Sequence, residues 1–299
     1  MVLSLLWIPA TLAAAAAQTA RNAMQRSLTE SIGTVGATQV RFLFGFPFAL
    51  LFLAVVPLLL GEAIPRPTPE FFAFITLGSI TQVLATALML AAMRERSFAV
   101  VTAYVKTEPV QTALFGLAVL GDAFTSLALT GILVATAGVV VMSYKPGSLS
   151  GGGIRPAAMG IAAGAFFALA AIGFRGAVLS LETGSFVMRA TTTLAWGLGW
   201  QTVLLGGWLL MFDRAALTKS FGVWRGSLAA GFMGALASQF WFIGFALTSA
   251  ANVRTLALVE VLMAQAVSRR LFSQSLAWRE VAGMALIVGG VALLLLATA

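Results

Sequence analysis

Ten long apolar runs dominate this sequence and limit what it can fold into. Each is roughly 20 residues long, the length at which a helix crosses the hydrocarbon core of a bilayer. The chain is 60% hydrophobic and 9% charged, with a mean hydropathy of +0.98, so lipid must surround most of its side chains. Backbone amides in lipid need internal partners, and the runs lack the alternation of barrel strands. The sequence therefore predicts an all-α polytopic membrane protein.

The runs form two groups of five. The first group is Leu3–Ala20, Val35–Leu60, Phe71–Met93, Phe98–Leu120 and Ser126–Ser143. The second is Ala157–Ser180, Ser185–Phe212, Val223–Leu247, Ala250–Phe272 and Trp278–Thr298. The first run is expected to be a retained helix, because Met1–Trp7 carries none of the Lys or Arg residues that open a signal peptide.

A stretch rich in Gly, Pro and Ser, residues 146–156, separates two predicted repeats at 1–145 and 157–299. A shift of 152 positions places Glu108 on Glu260, Gly131 on Gly283 and Gly138 on Gly290, which indicates an internal repeat. Because each half holds an odd number of helices, the second half must enter the membrane from the opposite side. Inverted repeats of this kind are used by transporters that work by alternating access.

Positive charge distinguishes the two sides of the predicted membrane protein. Only Arg66 and Arg175 are assigned to the side reached after even-numbered helices, and four further cations are assigned to helix interiors: Arg41, Lys106, Arg189 and Arg254. The remaining Lys and Arg lie after odd-numbered helices: Arg21, Arg26, Arg94, Arg96, Lys145, Arg155, Arg214, Lys219, Arg225, Arg269, Arg270 and Arg279. The positive-inside rule makes these loops cytoplasmic and both termini periplasmic. The net charge of +8 thus reflects topology, and no nucleic-acid partner is expected.

Two segments carry a family resemblance. The segment Val105-Lys106-Thr107-Glu108-Pro109-Val110-Gln111 is followed by Leu120-Gly121-Asp122 and the run Gly131 to Val140. With its two five-helix repeats, the chain resembles the drug/metabolite transporter superfamily, EamA type, over essentially its whole length. Within that superfamily it looks most like the bacterial YddG-type amino-acid exporters.

The resemblance implies a secondary transporter of the bacterial inner membrane that exports amino acids, including aromatic ones, or related small metabolites. We expect a monomer without cofactor or metal, with membrane lipid and a small-molecule substrate as its partners. Some members of the superfamily are described with both termini inside, whereas the charge distribution here places them outside. The sequence is compatible both with proton coupling and with facilitated diffusion.

Intramembrane carboxylates are the first candidates for a substrate or translocation site, because charge at membrane depth is costly. Glu108 lies roughly 16 Å into its predicted helix, near the middle of a core about 30 Å thick, and Glu260 is equally deep from the other side. Tyr104 and Gln111 are predicted to share a helical face with Glu108. Lys106 points elsewhere on that helix, so its partner must be sought across the bundle, as must that of Arg254.

Gln82, Gln239 and Trp241 are further candidates, since they interrupt apolar runs with groups that could bond or stack on a substrate. Each also has a structural interpretation. The two carboxylates could belong to buried ion pairs, and the other three side chains could serve as contacts between helices or as interfacial anchors. Gly131, Gly138, Gly160, Gly164, Gly289 and Gly290 are interpreted as sites of close helix packing.

Three other functions are alternatives to amino-acid export. A multidrug or cation exporter of the same superfamily would need a wider aromatic cavity. An intramembrane enzyme is disfavoured because the sequence has no His and no Cys. A channel is disfavoured by the inverted repeats. None of the three lysines follows a Gly, so there is no phosphate-binding Gly-Lys loop for ATP hydrolysis.

Overall fold

The computed structural model describes residues 5–95, 98–143, 154–263 and 277–298. Within these ranges the chain forms helices joined by turns, with no strand. The predicted all-α class is confirmed for this part of the chain. The predicted linker lies outside the described residues up to position 153, and its last three residues belong to a helix that begins at Ile154. Pro156 can lie there because the first turn of a helix does not need its N–H.

Six helices make up the first half: α1 Trp7–Leu43, α2 Phe46–Leu60, α3 Pro69–Glu95, α4 Phe98–Val105, α5 Glu108–Phe115 and α6 Ser126–Ser143. A π-helical turn, Gly116–Leu120, extends α5. Inside α1, Gly33 has φ +73°, a left-handed conformation that interrupts the helical geometry and that glycine adopts at little cost. The first two predicted runs are therefore joined through a kink at Gly33.

In the second half the helices are α7 Ile154–Leu179, α8 Phe186–Phe212, α9 Arg214–Gly222, α10 Trp224–Leu247, α11 Ala250–Leu256 and α12 Trp278–Thr298. Residues 259–263 are also helical. The short helix α9 was not predicted. Asp213 begins it by accepting a hydrogen bond from the Ala216 amide at 3.1 Å, as an N-terminal cap does.

Among the described residues, seven segments are long and apolar enough to cross a membrane. They are Gly36–Leu60, Pro69–Glu95, Ser126–Ser143, Ile154–Leu179, Phe186–Phe212, Trp224–Leu247 and Trp278–Thr298. These segments coincide with seven of the ten predicted runs, which makes the chain a multi-pass membrane protein. Three runs remain predictions: the first shares α1, the fourth is divided into short helices, and the ninth extends beyond the described residues.

The chain separates into two compact units, and each contains residues from both sequence halves. One unit, called the first unit, takes in Met1–Ile80 and Gly173–Leu247. The other, the second unit, takes in Thr81–Ile172 and Thr248–Ala299. The division of the sequence into repeats at 1–145 and 157–299 remains a prediction about symmetry.

Close backbone approach holds the first unit together. A Cβ on Gly231 of α10 would lie 2.5 Å from the carbonyl oxygen of Phe44, and one on Gly173 of α7 would lie 2.5 Å from the Gly78 amide nitrogen. Helices in lipid gain little from hydrophobic burial against one another, so small residues that allow such approach stabilise their packing.

The second unit contains an antiparallel helix pair with glycines at its interface. A Cβ on Gly131 of α6 would lie 2.7 Å from the Gly290 carbonyl oxygen, and one on Gly138 would lie 2.7 Å from that of Gly283. Residue numbers rise along α6 as they fall along α12, so the two helices are antiparallel. The predicted packing role is confirmed for these glycines. It is wrong for Gly289, where an added Cβ would meet nothing within 4 Å, because this residue is on the exposed side of α12.

Candidate substrate site

The fourth predicted helix is broken at Lys106 and Thr107, between α4 and α5. Pro109 follows, and proline inside a helix both lacks a donor and clashes with the carbonyl four residues earlier, here that of Val105. The backbone tightens instead: the Thr107 amide bonds the Tyr104 carbonyl oxygen at 3.2 Å, and the Thr107 hydroxyl donates to the same oxygen at 2.7 Å. The expected continuous helix is therefore wrong at this point.

A second break lies at Ala257 and Leu258, after α11. The Leu258 amide bonds the Thr255 carbonyl oxygen at 3.1 Å, and the Glu260 amide bonds that of Ala257 at 3.0 Å. Both bonds span three residues, as in the first break, although no proline is present here. The break falls about 151 residues after the first, close to the 152-residue shift of the predicted repeat. The candidate carboxylate Glu108 directly follows the first break, and Glu260 lies two residues after the second.

Two ion pairs join the first broken segment, residues 98–115, to the second broken segment, residues 250–263. Lys106 donates a hydrogen bond to the carboxylate of Glu260, and the Nε atom of Arg254 lies 3.0 Å from Oε1 of Glu108. Each broken segment thus contributes one cation and one anion. The expectation that Lys106 and Arg254 find their partners across the bundle is confirmed.

These four charged side chains are largely buried, with exposed fractions between 10% for Glu108 and 18% for Lys106. Burial of a lone ion in a low-dielectric environment is costly, and pairing offsets that cost. The cluster carries no net charge when all four groups are ionised. We call Lys106, Glu108, Arg254 and Glu260 the charge cluster.

Tyr104 and Gln111 contact α7. A Cβ on Gly160 would lie 2.6 Å from that of Tyr104, so the glycine makes room for the tyrosine. Gln111 donates from Nε2 to the Thr107 hydroxyl at 2.8 Å and to the Ile161 carbonyl oxygen at 3.4 Å. The three side chains predicted to share a face therefore have different neighbours, since Glu108 contacts α11. Tyr104 and Gln111 position the first break against α7.

Gln82, on α3, belongs to the second unit, while Gln239 and Trp241 of α10 belong to the first unit. Gln239 donates to the Thr191 hydroxyl of α8 at 2.9 Å, and the Trp241 indole donates to Gln18 of α1 at 3.2 Å. Both side chains thus link helices, which was the structural interpretation considered for them. Their role in substrate binding stays a prediction.

Sequence reasoning did not include Arg254 or Thr107 among the site residues. A usable signal existed for Arg254, because it is one of four cations predicted inside helices, where charge is costly. Its partner could not be identified, since Glu108 lies 146 positions away. The signal for Thr107 is Pro109, two residues later, because a proline indicates a local break with unsatisfied backbone groups that a threonine hydroxyl can bond.

The sequence comparison with known proteins covers just under half of the chain, and the fold comparison covers nearly all of it. A solved structure, described only as the crystal structure of a protein, covers 99% of this chain and is covered to 99%, with a TM-score of 0.71 and 16% identity. No curated protein matches the sequence. Residues 5–144 match the model of the EamA-like transporter family, which supports the predicted resemblance to the drug/metabolite transporter superfamily. Over its first half, this multi-pass membrane protein is therefore similar to the EamA-like transporters.

Proposed function

We propose that this chain is a secondary transporter of the bacterial inner membrane that exports amino acids, including aromatic ones, or related small metabolites. The observation that carries the proposal is the charge cluster at two helix breaks. Interrupted helices with ionisable groups at the break are a construction that transporters use for substrate and ion sites. The family match of residues 5–144 supports transport of small substrates. The YddG-type amino-acid specificity rests on the resemblance alone.

We further propose that the two halves are inverted repeats that move by alternating access. The 152-residue shift makes Gly131 equivalent to Gly283 and Gly138 equivalent to Gly290. The observed contacts pair Gly131 with Gly290 and Gly138 with Gly283, so exchange of the repeats converts one contact into the other. A two-fold axis perpendicular to the two helices produces this pattern, and an axis in the membrane plane relates inverted repeats.

A multidrug or cation exporter of the same superfamily is the alternative. It would use Glu108 or Glu260 as a receptor for a substrate cation. Each carboxylate already contacts a cation of the protein, so a cationic substrate would have to displace Arg254 or Lys106 and leave it without its partner carboxylate. The balanced charge of the cluster therefore favours substrates with no net charge. The dependence of transport on a proton gradient distinguishes proton coupling from facilitated diffusion.

Uptake into sealed proteoliposomes with a panel of labelled amino acids, with and without a proton gradient, tests the proposal. We expect Glu108→Gln to lower the initial rate at least about tenfold, equivalent to about 1.4 kcal/mol, because the substitution removes a charge that opposes Arg254. Glu70→Gln, at an exposed site in the first turn of α3, is the matched control and should transport normally. Normal transport by Glu108→Gln would exclude Glu108 from the site.

Topology is testable because the chain has no native Cys. Ala63, in the loop after α2, and Ala215, in α9, are both exposed and lie in loops assigned to opposite sides. We expect a membrane-impermeant maleimide to label Ala63→Cys in intact cells and Ala215→Cys only after permeabilisation, since the positive-inside rule makes the α9 side cytoplasmic. The reverse pattern would place both termini in the cytoplasm.

A further inference from the structure

We propose that Glu108 and Arg254 are the recognition pair for a zwitterionic head group, with the ammonium of the substrate on Glu108 and its carboxylate on Arg254. The ion pair opens and the substrate inserts between its members. The inference rests on the proposed transport function and goes beyond it by assigning each end of the substrate to a residue.

The geometry of this pair places a buried anion and a buried cation within reach of one ligand. Arg254 Nε lies 3.0 Å from Glu108 Oε1, yet this oxygen accepts no hydrogen bond from the described residues. The Glu108 side chain is nine-tenths buried, where a polar atom gains most from a donor. An ammonium brings three donors and a positive charge to such an oxygen.

Charge balance selects the class of substrate. When a buried ion pair opens, each member loses one counter-charge, and the loss of a counter-charge in a membrane interior is costly. A zwitterion supplies one charge of each sign, so Glu108 and Arg254 both remain compensated. A purely cationic ligand would replace the counter-charge of Glu108 alone, and a purely anionic ligand would replace that of Arg254 alone.

The second pair of the charge cluster is less suited to this exchange. Lys106 donates a hydrogen bond to Glu260, so in this pair the donor and the acceptor already have each other as partners. Arginine also presents a planar fork of donors that fits both oxygens of a carboxylate, whereas a lysine ammonium is a point charge. Lys106 and Glu260 therefore hold the two broken segments together while Arg254 and Glu108 exchange partners.

Three probes with the same side chain test the inference on the purified full-length protein in detergent: phenylalanine, its methyl ester and N-acetylphenylalanine. The ester lacks the carboxylate charge and the N-acetyl derivative lacks the ammonium. Equilibrium binding should be at least about tenfold weaker for either derivative than for phenylalanine, because each replaces only one of the two counter-charges that the opened ion pair loses.

Variants of the pair should shift this preference in opposite directions. Glu108→Gln has no carboxylate for an ammonium to compensate, so it should bind N-acetylphenylalanine more tightly than the ester. Arg254→Gln should bind the ester more tightly than N-acetylphenylalanine. Arg254→Lys keeps the charge and should weaken only probes with a carboxylate. A purely structural role would weaken all three probes equally.

Equal binding of the three probes by the unmodified protein, or no binding of any of them, would overturn the inference, and this result does not depend on the folding of any variant. Equal loss of all probes in both Gln variants would do the same. The proposed function fails separately, when proteoliposomes accumulate no solute from the labelled panel. Transport that proceeds without discrimination among the probes would leave the function standing and remove the zwitterion site.

Discussion

Replacement of Glu260 by Gln is expected to lower the free energy of unfolding by about 3–5 kcal/mol. Lys106 would lose its hydrogen-bonded counter-ion in a largely buried position. An amide can accept one of the ammonium donors but cannot compensate the charge. The fraction of folded protein during SDS titration in mixed micelles, followed by tryptophan fluorescence, measures the change.

The double variant Lys106→Met/Glu260→Met separates the charge from the shape. Replacement of a buried ion pair by apolar side chains of similar size is often neutral or stabilising, so we expect unfolding within about 1 kcal/mol of the original chain. This result would attribute the destabilisation to the unpaired lysine. If the double variant proves as unstable as Glu260→Gln, the pair does not account for the loss.

Gly290→Leu is expected to be nearly as damaging, with a loss of about 3 kcal/mol, at the upper end of what overpacking costs. A Cβ at this position would lie 2.3 Å from the backbone amide nitrogen of Ala135, and backbone cannot rotate aside as a side chain does. The helices α6 and α12 must separate, and their close contacts along the interface are lost. The same SDS titration measures the effect.

Gly289→Leu is the matched control, one residue earlier on the same helix. Nothing lies within 4 Å of an added Cβ there, and the position is exposed. Leucine also has a higher helix propensity than glycine, so this variant should be as stable as the original chain or slightly more stable. Equal destabilisation by the two substitutions would indicate that helix propensity, and not the contact with α6, limits stability.

Much of the fold could be predicted from hydropathy because a membrane imposes a simple rule on backbone groups. Seven of the predicted runs coincide with helices that are able to span a bilayer. Glycine packing on α6 and α12 was also predictable, since small residues at a fixed spacing serve close approach in lipid. Gly289 shows the limit of that reasoning: composition cannot tell which of two adjacent glycines faces the neighbouring helix.

The helix breaks were less accessible to prediction. Pro109 indicates the first break, because in a continuous helix its ring would clash with the carbonyl of Val105, four residues earlier. The second break, at Ala257 and Leu258, has no proline and no glycine. Apart from Arg254 and Glu260, its local sequence is that of an apolar helix. Its conformation therefore depends on the neighbours against which it packs. Intrinsic propensity is a weak guide where tertiary contacts compete with it.

The sequence by itself determined that this chain is a helical membrane protein with carboxylates at positions 108 and 260, because hydrophobic length and the cost of buried charge act on each segment alone. Only the tertiary structure decided that Lys106 pairs with Glu260 and Arg254 with Glu108. Ion pairing depends on distances of a few ångströms between segments about 150 residues apart, and local sequence does not specify such distances. The choice of partners therefore arises when the two broken helices pack together.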